Sequence, residues 1–143
     1  MPHGRRWIAG LLILFAVAPS ACSAAAKEEA TLKDPATLEA IDGSDISRIT
    51  LTSEAAERVD IQTDTALEAG SDVVIPYAAL FYTATGETWA YTNPEPLTFV
   101  RVPVVVDDIR GDRAFLSDGP PAGMEVVTQG ATDLYGTETD VEE

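Results

Sequence analysis

The sequence predicts a mostly β domain, a small antiparallel β-barrel or roll with one short helix, preceded by a signal peptide and a flexible tether. Three observations predict it. Val100, Val102, Val104 and Val106 recur at period two in "LTFVRVPVVVDDI", as a strand with one face on a core requires. "VIPYAALFYTATGETWAYT" (Val74–Thr92) reads strand, turn, strand, with Gly86 in the turn. Ahead of both, Arg5 and Arg6 precede the uncharged stretch "WIAGLLILFAVA" (Trp7–Ala18), 12 residues long. The 143 residues suffice for one domain, and a hydrophobic share of 45% can fill a core.

The N-terminal stretch is short for a transmembrane helix and suits the core of a signal peptide over residues 1–21. "PSAC" follows, ending in Cys22, the only cysteine, so no internal disulfide can form. A lone Cys after an apolar run and small residues resembles a bacterial lipobox, which implies lipidation at Cys22. Pro19 stands where that pattern usually has Leu. Ordinary cleavage near "ACSA" is the alternative. Residues 22–45 read as a tether: small and charged residues with Pro35 and Gly43, and no apolar face wide enough to pack.

The β domain is expected over residues 46–136. Ile46–Leu51 suits a short strand. Thr52 or Ser53 can cap a helix through "EAAERV", with Glu54 in its first turn. Ile61–Leu67 returns as a strand, and Val73–Phe81 is the next. Pro76 cannot donate a ladder bond, so it places that strand at an edge or marks a strand start. Thr88–Thr92 carries Trp89 and Tyr91 on one face and Ala90 on the other, and Asn93–Pro96 breaks it. On the valine strand, Phe99, Arg101, Pro103 and Val105 lie opposite the four valines. "DIRGDRA" and "DGPPAG" are turns, and "MEVVTQG" is a last strand. Residues 137–143 read as a disordered acidic tail.

Catalytic chemistry is scarce. The only histidine is His3, inside the targeting segment, which leaves the remainder without Ser–His or Cys–His nucleophile systems and without imidazole metal ligands. Asp107, Asp108 and Asp112 lack the spacing of an EF-hand loop and read as a solvated turn. "RGD" at Arg110–Asp112 reads as a hairpin tip. The formal net charge of −15 argues against nucleic-acid binding. Without Arg5 and Arg6, seven basic residues face 24 acidic ones, a charge of −17. No cofactor or metal site is expected, and no enzyme activity.

Several stretches together resemble the membrane-proximal domain of periplasmic adaptor proteins (membrane fusion proteins) of efflux systems. Pro76, Ala79, Leu80, Gly86, Trp89 and Tyr91 carry the likeness in the first hairpin. "FVRVPVVV" (Phe99–Val106) and Gly111–Asp112 continue it. In "PPAGMEVVTQGATDLYG" it rests on Gly123, Val126, Val127, Gly130, Ala131 and Leu134. "ITLTSEAAERVDIQTDTA" resembles the family's N-terminal segment, which joins the same sheet in space; Asp60 stands where a Gly is common. The lipoyl-like, hairpin and barrel domains of a full adaptor are missing between Leu67 and Val73.

The resemblance implies an extracytoplasmic accessory protein, held at the membrane through Cys22, that binds or modulates an inner-membrane transporter permease. The alternative is a free-standing ligand- or cation-binding lipoprotein with no transporter partner. Loops carry variable function, so the expected partner contacts are Glu87 in the tip Thr83–Glu87, and Asp107, Asp108, Arg110, Asp112 and Arg113 in the second turn.

Overall fold

The computed structural model describes residues 34–140. The expected signal peptide, Cys22, residues 22–33 of the expected tether and residues 141–143 lie outside the described residues. Strands β1 (Ala36–Ala40) and β2 (Ser47–Leu51) lead into helix α1 (Ser53–Arg58), followed by β3 (Gln62–Thr65), β4 (Leu67–Ala69) and β5 (Asp72–Pro76). A 3-10 turn at Tyr77–Ala79 precedes β6 (Phe81–Tyr82), β7 (Thr88–Glu95), β8 (Thr98–Pro103), β9 (Val105–Arg110), β10 (Arg113–Asp118), β11 (Glu125–Gln129) and helix α2 (Ala131–Thr139).

The strands make two antiparallel sheets. The larger runs β1-β2-β8-β7-β11-β3, with β6 also paired to β7; the smaller runs β4-β5-β10-β9. Of the expected barrel or roll, a closed barrel is not formed: among the described residues the strands make two open antiparallel sheets. The reason lies in four places where the chain leaves one sheet for the other. Buried Ala66 separates β3 from β4, and Val104 separates β8 from β9. Tyr77–Leu80 carries the chain from β5 to β6, and residues 119–124 carry it from β10 to β11. The crossings brace one another: Ala66 N–H donates to Met124 C=O at 2.8 Å, and Gly123 N–H donates to Ala66 C=O at 2.8 Å.

The larger sheet is covered on both faces at its centre. Ala90 and Val126 belong to one buried cluster, while their chain neighbours Tyr91 and Val127 belong to another. Alternation along a strand demands this split. The Tyr91 side packs with Ile49, Phe99, Ala55 of α1 and Leu134 of α2. The Ala90 side packs with Ile75, Ala114 and Leu116 of the smaller sheet. The long valine strand thus needs correction too. It breaks at Val104, and within β8 the buried residues are Thr98, Phe99 and Arg101, while half-buried Val102, buried Val104 and half-buried Val106 line the other cluster as the period-two pattern predicts.

Local chemistry explains the ends. Thr52 caps α1 by accepting the Ala55 N–H at 3.2 Å, a contact that contributes about 1 kcal/mol. Gly130 starts α2 at φ +89°, and a Cβ there would strike Ile61. Pro76 is the last residue of β5, a strand paired on both sides, rather than an edge or a strand start. Its missing N–H falls beyond the pairing with β4, which ends at Val74. Asn93 and Pro94 lie inside β7, which absorbs them by a register shift between Thr92 and Glu95. Residues 36–40, expected in the tether, pair with β2 instead, from Ala36 opposite Leu51 to Ala40 opposite Ser47. Residues 137–139, expected in the tail, complete α2, so the described residues hold two α-helices rather than one.

Candidate functional site

The six residues expected at a partner contact lie on two hairpins. Glu87 is exposed in the turn between β6 and β7, where Gly86 holds φ +87°. Hydroxyl groups order this turn. Thr83 Oγ1 accepts the Glu87 N–H at 3.2 Å, and Thr85 Oγ1 donates to Glu87 Oε2 at 3.1 Å.

Asp107, Asp108, Arg110, Asp112 and Arg113 share the β9–β10 hairpin, with Gly111 at φ +62° in the turn. Asp107 accepts from Ser117 Oγ at 2.8 Å. Asp108 is held twice, by Arg110 Nε at 2.7 Å and by the Ile109 N–H at 2.8 Å. These two donors, the guanidinium first, hold the Asp108 carboxyl below the usual carboxylate range. Arg110 in turn lies over the Phe115 ring, 4.5 Å from its centroid. Asp112 uses its backbone C=O to accept the Tyr77 N–H at 2.7 Å. Arg113 is half-buried opposite Pro76. The hairpin therefore gathers five of the six residues, and Glu87 makes no hydrogen bond or ion pair with them. Cys22 lies outside the described residues.

A second cluster escaped the sequence reading. Glu138 of α2 is 4% exposed and Arg101 of β8 is 7% exposed. Arg101 Nε donates to Glu138 Oε1 at 3.0 Å, the Ser47 N–H donates to the same oxygen at 2.8 Å, and Tyr91 OH donates to Oε2 at 2.6 Å. Arg101 Nη2 reaches the Asp45 C=O at 2.9 Å, and its guanidinium stacks over Trp89 at 4.6 Å. Burial first, then the bond to Glu138, push the Tyr91 phenol far above its usual pKa. Both Glu138 oxygens are occupied, so the cluster clamps α2 and the start of β2 onto the sheet. Trp89 Nε1 is buried without a partner.

An apolar groove of about 200 Å³ lies between α1, α2 and the start of β1. Leu51, Ala55, Val59 and Leu134 line it, with exposed Arg58 and Asp133 among its walls. It is smaller than a typical small-molecule site. Among the described residues, no three His, Cys, Asp or Glu side chains converge to hold a metal, and no helix is long and apolar enough to cross a membrane.

No family model, curated protein or solved structure matches the chain.

Of the overlooked residues, Arg101 had a visible signal. It is the one cation inside an apolar strand, between Phe99 and Pro103. Glu138 had a weaker one: Ala131, Leu134 and Glu138 fall on one face of a helix, with the third position polar.

Proposed function

We propose that the chain is a lipid-anchored, extracytoplasmic, non-enzymatic accessory protein that binds or modulates an inner-membrane transporter permease, as the likeness to the adaptor membrane-proximal domain implies. One observation carries the reading. The N-terminal block and the C-terminal blocks that bear the likeness share one sheet: β2 pairs with β8 and β3 pairs with β11. The resemblance requires that union, and neither block could supply it alone. A lipid anchor at Cys22 would confine the domain to one membrane surface and raise its effective concentration there, so a weak contact suffices.

The test is photo-crosslinking in intact cells. Crosslinkable residues at Glu87 and Arg110 should capture one polytopic membrane protein, while one at exposed Glu54 on α1 should not. Equal capture at all three sites, or capture of abundant bystanders alone, refutes the reading. The anchor is checked separately. The wild-type chain should sediment with membranes and carry acyl mass, and Cys22→Ala should not. The alternative, a free-standing ligand- or cation-binding lipoprotein without a transporter partner, becomes the better account if capture fails.

A further inference from the structure

Five large apolar side chains stand out as exposed among the described residues: Leu67, Tyr77, Tyr82, Val105 and Ile109. Single exposed apolar residues are ordinary. Two of these, Tyr77 and Tyr82, sit between the two polar hairpins. Tyr77 follows Pro76 and gives its backbone N–H to the Asp112 C=O of the β9–β10 turn at 2.7 Å. Tyr82 is the residue before the Thr83–Glu87 turn, and its register partner Thr88 is the residue after it. Burial first, then the nearby Tyr77 phenol, raise the pKa of Tyr82. Ile109 lies two residues before Gly111, on the strand that enters the same turn. The tyrosines are 45% and 56% exposed, so neither serves the core.

The surrounding charge is unbalanced. Glu87, Asp107, Asp108 and Asp112 face Arg110 and Arg113, four carboxylates against two guanidinium groups. Arg110 is engaged by Asp108 and Phe115. An aromatic centre with a charged rim is the usual anatomy of a protein contact, and Tyr is enriched where contact energy concentrates. The net negative rim, on a chain of net charge −15, favours a partner that brings cations.

We infer that Tyr77 and Tyr82, rimmed by the turns at 83–87 and 110–113, form a docking surface for a protein segment that carries apolar side chains beside Lys or Arg. This rests on the transporter-accessory reading and names the part of the surface, and the kind of segment, that the reading leaves open. The tyrosines supply apolar contact at little conformational cost, since each phenol has only two soft torsions. The hairpin charges set orientation and are weakened by salt.

The experiment uses the full-length chain in its own membrane, with a photoreactive phenylalanine analogue at Tyr77 or Tyr82, and at Glu87 or Arg110 for comparison. Mass spectrometry of the crosslinked peptide identifies what is touched. The expected result is capture at both tyrosine positions of one membrane-protein segment containing apolar residues and Lys or Arg. Tyr77→Ala and Tyr82→Ala should each lower capture at Glu87 about tenfold or more, as central contact residues do. Both should leave the thermal midpoint of the purified chain unchanged. If an alanine variant fails to fold, Tyr82→Lys serves instead: it keeps a long stem, brings like charge to the partner's cations, and should lower capture equally.

Capture at Glu87 and Arg110 but not at the tyrosines overturns the inference and leaves the transporter reading standing. A captured segment dominated by Asp and Glu, or adducts on lipid acyl chains in place of protein, also overturns it. Capture at none of the four positions brings down both.

Discussion

Replacing Glu138 by Gln tests whether the buried clamp holds the fold together. Glu138 takes three donors, and its partner Arg101 is almost fully enclosed. Gln keeps one acceptor oxygen, so it can still serve Ser47 or Tyr91. It removes the charge, which leaves the guanidinium buried without a counter-ion. Removing one member of a buried pair costs about 3–5 kcal/mol. The retained acceptor places the expectation at the lower end, about 3 kcal/mol. A small domain has a urea m-value of about 1–3 kcal/mol/M, so the unfolding midpoint should fall by about 1–3 M. The double variant Arg101→Met, Glu138→Leu removes the stranded charge but leaves the Ser47 N–H and Tyr91 OH without an acceptor, so its midpoint reads what those two bonds contribute once the charge is gone. Urea titrations of the three proteins, followed by Trp fluorescence, give the comparison. A loss of under about 0.5 kcal/mol for Glu138→Gln, the range of ordinary surface changes, refutes the clamp.

Gly130→Ala should destabilise the fold by at least about 1–2 kcal/mol through its positive φ alone; Ile61→Ala in the same chain should recover only the steric share, as thermal melts would show. Tyr91 keeps its proton in the folded state, while an unfolded Tyr ionises near pH 10. Its contribution is therefore whole below about pH 10 and lost as pH rises above it. Stability measured by urea at pH 8 and pH 11 should fall, and the fall should shrink in Tyr91→Phe. The lowered pKa of Asp108 gives the opposite sign: its hold on Arg110 is present above the usual carboxylate range and lost as pH falls through the folded pKa. NMR titration should find the Asp108 carboxyl ionising below the usual carboxylate range. Asp108→Ala together with Asp64→Ala should increase self-association in light scattering. Each of these carboxylates folds onto the backbone N–H of the next residue on an open edge strand, Thr65 on β3 and Ile109 on β9.

The β character and most strands were legible because they depend on local pattern. Thr52 capping α1, Gly86 in a hairpin turn and the opposed faces of Tyr91 and Ala90 all follow from short stretches. What stayed hidden was long-range. Nothing near Val104 says that its two sides join different sheets; the break follows from Val104 N–H donating to Thr88 C=O and from its packing against Gly119. Residues 36–40 look like linker because their apolar positions, Ala36 and Leu38, are few. They become a strand only because β2 offers an open edge. Glu138 looks like one more acid in an acidic stretch until Arg101 is placed beneath it. The hairpin residues were legible as turns, but not the tyrosine pair between them, which needs the Tyr77–Asp112 bond to be seen.

The bond from Ser47 to Glu138 spans 91 residues of chain. A polypeptide is made from its N-terminus, so β2 exists long before its clamp does. Until residue 138 has emerged, Arg101 has no counter-ion, the Ser47 N–H has no acceptor, and the face of the large sheet that carries Tyr91 and Phe99 lacks α2 as a cover. The pairing of β2 with β8 and of β3 with β11 likewise waits on late strands. Such non-local order makes completion slow. The hairpins β1–β2, β7–β8 and β9–β10 can pair as each is made, but the Tyr91 face of the large sheet closes only at the end. A polypeptide that must be threaded through a narrow passage before folding gains from that timing.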